Sequence, residues 1–151
     1  MKFCSNPFNT LHVHPASYIT CCPSWFTNPL EVIVEGKYEN LWKVWNHKKF
    51  QKLRESWLNQ DDSLCSSCVL PLILGRKDPK IENYMTPVMT RGPSTIVFSN
   101  DMTCNLHCWS CRSKPIIEKR QDEIFRQTRN VLDTFHKSIR FISAIGSGDP
   151  L

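Results

Sequence analysis

Three cysteines within eight residues, Cys104, Cys108 and Cys111 of "TCNLHCWSCR", set the tightest limit on what this chain can fold into. Their Cx3Cx2C spacing gathers three thiolates on one loop and offers no fourth. A structural zinc normally takes four protein ligands in a tetrahedron, so the triplet is one ligand short. A [4Fe–4S] cluster has four irons, and three cysteines leave one of them open to something else.

The other cysteines bear on the compartment. The start, "MKFCSNPFNTLH", lacks the apolar core of a signal peptide, and no uninterrupted apolar run approaches the roughly 20 residues of a membrane span. The expected setting is cytoplasmic, with no membrane partner. There, eight cysteines read as reduced thiolates awaiting metal rather than as a disulfide scaffold. A length of 151 residues with 40% hydrophobic content excludes a disordered chain and allows one ordinary domain or two very small ones. The net charge of +5 is spread through "NHKKFQKLR", "GRKDPK" and "EKRQDEIFRQTR". Scattered in this way, the basic residues read as solvated helix faces rather than as a nucleic-acid surface.

The stretch 75–93, "LGRKDPKIENYMTPVMTRGP" with its preceding leucine, is rich in glycine and proline and has little periodicity, as expected of a connector. It divides the chain into a first unit, 1–74, and a second, 94–151. In the first unit, "TLHVH" and "SYITCC" flank "PA" as a β-hairpin. A helical stretch follows in which Leu41, Trp45, Phe50, Leu53 and Trp57 form an apolar face, with Lys43, Lys48, Lys52 and Arg54 assigned to the other. The tryptophans read as core. Cys4, the pair Cys21 and Cys22, Cys65 and Cys68 form a second constellation, able to close a zinc site or an iron–sulfur site and staple a small domain. Neighbours on a strand point to opposite faces, so one of Cys21 and Cys22 is expected as ligand and the other as a buried thiol.

In the second unit, "STIVFS" reads as a strand leading directly into the cysteine loop. From Pro115, suited to a first helical turn, Ile117, Ile124, Thr128, Val131, Leu132 and Phe135 trace one stripe of a long helix. "SIRFISAIG" then reads as a second strand, ending in "GSGDP". Strand, loop, helix and strand make a βαβ unit whose strands are expected to be parallel and adjacent, with a right-handed crossover. Both loops then fall at the C-terminal edge of the sheet, where parallel α/β architectures bind ligands.

A Cx3Cx2C loop after one strand and a glycine-rich acidic turn after the next resemble the start of a radical S-adenosylmethionine enzyme, with its partial (β/α) barrel. The "CCPSW", "VWN", "LRESW" and "CSSC" stretches resemble a SPASM or twitch module, which carries an auxiliary iron–sulfur cluster, here lying before the barrel. The implied fold is α/β: a small cysteine-rich α+β module, then the first β-α-β of the barrel. The resemblance implies that Cys104, Cys108 and Cys111 hold three irons of a [4Fe–4S] cluster, while S-adenosylmethionine takes the fourth. Gly146, Ser147, Gly148 and Asp149 match the turn that meets the methionine amino group. The implied activity is reductive cleavage of S-adenosylmethionine to a 5′-deoxyadenosyl radical that abstracts hydrogen from a peptide or protein, with electrons from an external donor. Many relatives place an aromatic residue directly before the third cysteine; here Ser110 stands there, and Trp109 one place earlier.

Leu151 falls just after the second strand, so the expectation is the front of a longer protein or a barrel completed by a second chain. Two other functions suit a cysteine-rich chain: a noncatalytic iron–sulfur electron carrier, and a zinc-stabilised module that binds nucleic acid.

Overall fold

The computed structural model describes residues 4–20, 33–36, 39–61, 63–65, 86–101, 103, 117 and 119–144. Their architecture is α/β around one mixed sheet of five strands, β1 (Thr10–His14), β2 (Ser17–Ile19), β3 (Val34–Glu35), β4 (Thr95–Phe98) and β5 (Phe141–Ala144). The strand order is β3-β2-β1-β4-β5. β1 and β2 form the antiparallel hairpin that the sequence predicts, with His12 opposite Ile19 and His14 opposite Ser17. β4 and β5 are parallel neighbours, also as expected. On its other side β1 pairs in parallel with β4, in a register that sets Leu11 beside Ile96 and Val13 beside Phe98. One sheet therefore carries strands from both sides of the 75–93 stretch.

Period-two alternation sorts the side chains. Leu11, Val13, Tyr18, Val34 and Ile96 point to one face, where they are sealed by Leu41, Val44, Trp45, Phe50, Val131 and Phe135. These last residues come from three helices, α2 (Leu41–Trp45), α3 (Lys48–Leu58) and α4 (Gln121–Phe135). A smaller cluster joins Phe8 of the short helix α1 (Asn6–Asn9) to Leu53 and Trp57 of α3.

The sequence reads residues 41–57 as one helical stretch, and the structure breaks it at Asn46 and His47. Each piece has its own N-terminal cap: Asn40 Oδ1 accepts from Trp42 N at 3.0 Å, and His47 Nδ1 accepts from Lys49 N at 3.3 Å. Asn46 is occupied elsewhere. Its amide donates to Met89 O at 2.9 Å and accepts from Met89 N at 2.7 Å, pairing with one residue as a strand neighbour would. Trp45 Nε1 donates to Arg91 O at 2.9 Å. Residues 86–93, assigned from the sequence to a connector, are thus strapped across α2.

Two further expectations fail. Lys43, Lys48 and Lys52 are exposed as expected, but Arg54 is fully buried. Its Nε donates to Pro7 O at 2.7 Å and its Nη1 to Pro87 O at 3.2 Å, and its guanidinium carbon lies 4.3 Å from the centre of the Trp45 ring. These three neighbours replace much of the water it loses. Burial pushes its pKa down to about 9, which leaves it charged at neutral pH. The last helix, expected from Pro115, starts at Gln121, and Ile117 is 79% exposed and outside it. Asp122 and Glu123 occupy the first turn of α4, where carboxylates are favoured by the helix dipole. From Ile124 onward the predicted stripe holds, and Val131 and Phe135 are buried.

Gly92 lies where the strap crosses the end of α4. A Cβ there would stand 2.6 Å from Phe135 Cδ1 and closer still to Ser138 Oγ. Phe135 cannot easily yield, because it is buried and its ring meets Trp42 edge-on at 5.3 Å. Gly92→Ala is therefore expected to destabilise the fold by about 1–3 kcal/mol, read as a lower urea midpoint with an unchanged slope. A midpoint equal to the parent's would mean that the strap is not held against α4.

Candidate functional site

Three parallel strands, β1, β4 and β5, end at one edge of the sheet. β1 ends at His14 and leads into the Pro15–Ala16 turn. β4 ends at Phe98 and leads through Ser99, Asn100 and Asp101 towards the cysteine triplet. β5 ends at Ala144, two residues before Gly146.

The root of the cysteine loop is fixed from both sides. Ser99 N donates to Val13 O at 2.8 Å, prolonging the β1–β4 pairing. Asn100 is 3% exposed, and its Nδ2 donates to Gln127 Oε1 at 3.0 Å and to Thr128 Oγ1 at 3.1 Å. Gln127 in turn donates through Nε2 to His14 O at 3.1 Å. A single helical position thereby ties the ends of β1 and β4 together. Asp101 Oδ1 accepts from Thr103 N at 2.8 Å, and Thr103 Oγ1 accepts from Gln121 Nε2 at 3.0 Å. The residue immediately before Cys104 is thus bonded to the first residue of α4.

On the face of β1 turned away from the helical layer, His12 and His14 lie side by side, with ring centres 6.4 Å apart and planes within 10°. Desolvation, and secondarily the neighbouring His14, push the His12 pKa down to about 4. Desolvation also lowers that of His14. Both imidazoles are therefore neutral at pH 7. Among the described residues, His14 Nε2 is buried and has no hydrogen-bond partner. On the opposite face, Pro15, Ala16, Tyr18 and Gly36 face Glu123 and Arg126 across a cleft of about 430 Å³ beside the same edge.

Of the cysteines, Cys4 is half-buried and packs against the Phe8–Leu53–Trp57 cluster. The backbone of Cys65 closes a 3-10 turn, Ser63–Cys65. Cys21, Cys22, Cys68, Cys104, Cys108, Cys111, Gly146, Ser147, Gly148 and Asp149 lie outside the described residues. Among the described residues, no three His, Cys, Asp or Glu side chains gather as a metal-binding group, and no helix is long and apolar enough to cross a membrane. The sequence reading missed the His12–His14 pair and the Asn100–Gln127–Thr128 network. For the histidines a signal existed: two residues apart on a strand, they must share a face.

The neutral state of His12 has a consequence for stability. Between pH 6.5 and pH 4 the unfolded chain takes up a proton that the folded site refuses, so stability is complete above pH 6.5 and falls as pH drops through that window. The His12 contribution to this loss is on the order of 2–3 kcal/mol. In urea titrations at pH 7 and pH 4.5, His12→Gln should show a correspondingly smaller drop than the parent. Equal drops would place His12 in contact with solvent.

No known protein family, curated protein or solved structure matches the chain.

Proposed function

We propose that this protein is a radical S-adenosylmethionine iron–sulfur protein, with an auxiliary iron–sulfur cluster held by its first-unit cysteines and a peptide or protein as substrate. The observation that supports this reading most is the parallel pairing of β4 with β5, which directs the chain towards the cysteine triplet and towards "GSGDP" from one edge of one sheet. The donor set fits. Three soft thiolates within eight residues suit iron–sulfur ligation and leave one coordination position for a cosubstrate.

Cys104, Cys108 and Cys111 would hold the first cluster, and Gly146 to Asp149 would meet the methionine end of S-adenosylmethionine. When bound, the cluster would supply one electron, received from an external donor, to break a carbon–sulfur bond of the sulfonium, releasing methionine and a 5′-deoxyadenosyl radical that would take hydrogen from the substrate. The chain's own residues position the parts. Asn100, Gln127 and Thr128 anchor the root of the cysteine loop, and Thr103 ties it to α4. His12 and His14, both uncharged at neutral pH, keep formal charge off their face of the central strand.

The proposal predicts two separable clusters. Anaerobically reconstituted protein should carry iron and sulfide for both. The triple substitution of Cys104, Cys108 and Cys111 to alanine should remove one and leave the other, by iron analysis and Mössbauer spectra. Zinc in place of iron and sulfide would overturn the reading, and loss of all iron in the triple variant would overturn its two-site form.

A further inference from the structure

The strap 86–93 and the C-terminal end of α4 enclose a second cavity, of about 350 Å³, with Trp42 of α2 in its wall. The strap runs into the start of β4, and residues 136–138 run towards the start of β5, so the cavity lies at the opposite end of these strands from the cysteine loop. Its volume falls in the range of small-molecule pockets, roughly 300–1,000 Å³. Gly92 and Phe135 are both in its wall, and their close approach holds the strap against the helix.

The cavity is positively charged. Arg91 and Lys137 line it, and both are exposed. Among the described residues neither side chain has an ion pair or a hydrogen bond; Arg91 is bonded through its carbonyl, to Trp45 Nε1. No carboxylate stands among the described lining residues, and the neighbouring Asp133 is paired with Arg129. The negative end of the α4 dipole is answered locally. Phe135 O accepts from Ser138 N at 2.8 Å, Ser138 Oγ at 3.0 Å and Ile139 N at 3.1 Å, while His136 Nδ1 meets Asp133 O at 2.9 Å. The two cations are therefore left for a ligand, with the Thr90 hydroxyl beside them.

Trp42 supplies a planar apolar surface. Its indole is 37% exposed and is held edge-on against the Phe135 ring at 5.3 Å, so it stays in the wall. Its backbone N–H is used by Asn40 Oδ1, and among the described residues its indole N–H has no partner. A guanidinium, an ammonium and a hydroxyl suit the oxygens of a phosphate, and a fixed indole suits a flat base. We propose that this cavity binds a mononucleotide, its phosphate between Arg91 and Lys137 and its base against Trp42. The size suits one nucleotide rather than a strand of them. The site uses none of the cysteines and stands independently of the iron–sulfur reading above.

The test is titration of the whole chain with adenosine 5′-monophosphate, followed by calorimetry and by nitrogen-15 NMR. Binding should saturate, with the largest shifts at the Trp42 indole and at the amides of Arg91, Lys137 and Ser138. Ribose 5-phosphate, which keeps the phosphate and lacks the base, should bind about tenfold more weakly. Arg91→Gln and Lys137→Gln should each weaken nucleotide binding roughly tenfold, with urea midpoints like the parent's showing that both fold. Trp42→Leu should bring the nucleotide down to the affinity of ribose 5-phosphate; if that variant does not fold, the ratio of the two ligands in the parent decides. Absence of saturable binding overturns the proposal. So does nucleotide binding that the Arg91→Gln, Lys137→Gln double variant leaves unchanged, which would place the ligand elsewhere on the chain. Equal affinities of the parent for the two ligands overturn the assignment to a nucleotide.

Discussion

The desolvated guanidinium of Arg54 is the joint on which the helical layer depends. Its contacts with Pro7 O, Pro87 O and the Trp45 ring draw together the segment before β1, the strap 86–93 and the break between α2 and α3. Further bonds hold this region: Trp45 donates through its indole to Arg91 O, and the neighbouring Asn46 pairs through its amide with Met89. A long, flexible side chain loses considerable freedom when fixed in this way. The burial of neighbouring side chains on the same helices offsets that loss, including Trp45 and Phe50 in the main core and Leu53 in the smaller one.

The candidate site depends on the other side of the same core. Leu11, Val13 and Ile96 lock β1 and β4 into register, and this register sets the heights at which His14 and Asn100 leave the sheet. Gln127 reads both heights at once, since its side-chain amide donates to His14 O and accepts from Asn100 Nδ2. The cysteine loop therefore departs from a root whose position is fixed by core packing and by a buried amide network. Such support would serve the proposed cluster, whose thiolates must meet at defined distances.

Much of this fold was legible in the sequence, for identifiable reasons. The hairpin was marked by β-rich runs around Pro15–Ala16, and the βαβ unit by a change from period two to period 3.6 and back. Arg54 was misplaced because its charge outweighed its spacing: four residues after Phe50 and next to Leu53, it lies on the apolar side of the helix. Pro115 signals an earlier start for α4 than the structure has, and the acidic pair Asp122 and Glu123 marks the observed first turn. The parallel pairing of β1 with β4 had no local signature, since "TLHVH" announces a strand but not its second neighbour. The cysteine triplet, plain in the sequence from its spacing, lies outside the described residues. The Asn100–Gln127–Thr128 network was hidden because it joins residues 27 and 28 positions apart.

The β1–β4 pairing also dictates an order of events as the chain is made. β1 and β2 are joined by a two-residue turn, and a hairpin of that kind closes within roughly 1–10 μs. The other edge of β1 must wait, because Thr10 pairs with Thr95. At usual synthesis rates of about 5–20 residues per second, β4 follows on the order of 10 seconds later. During that interval Leu11 and Val13, destined for complete burial, lie on a strand with one open edge. The yield of folded protein is then decided by how well the early half of the chain is shielded until residue 98 emerges, a matter of timing rather than of final stability.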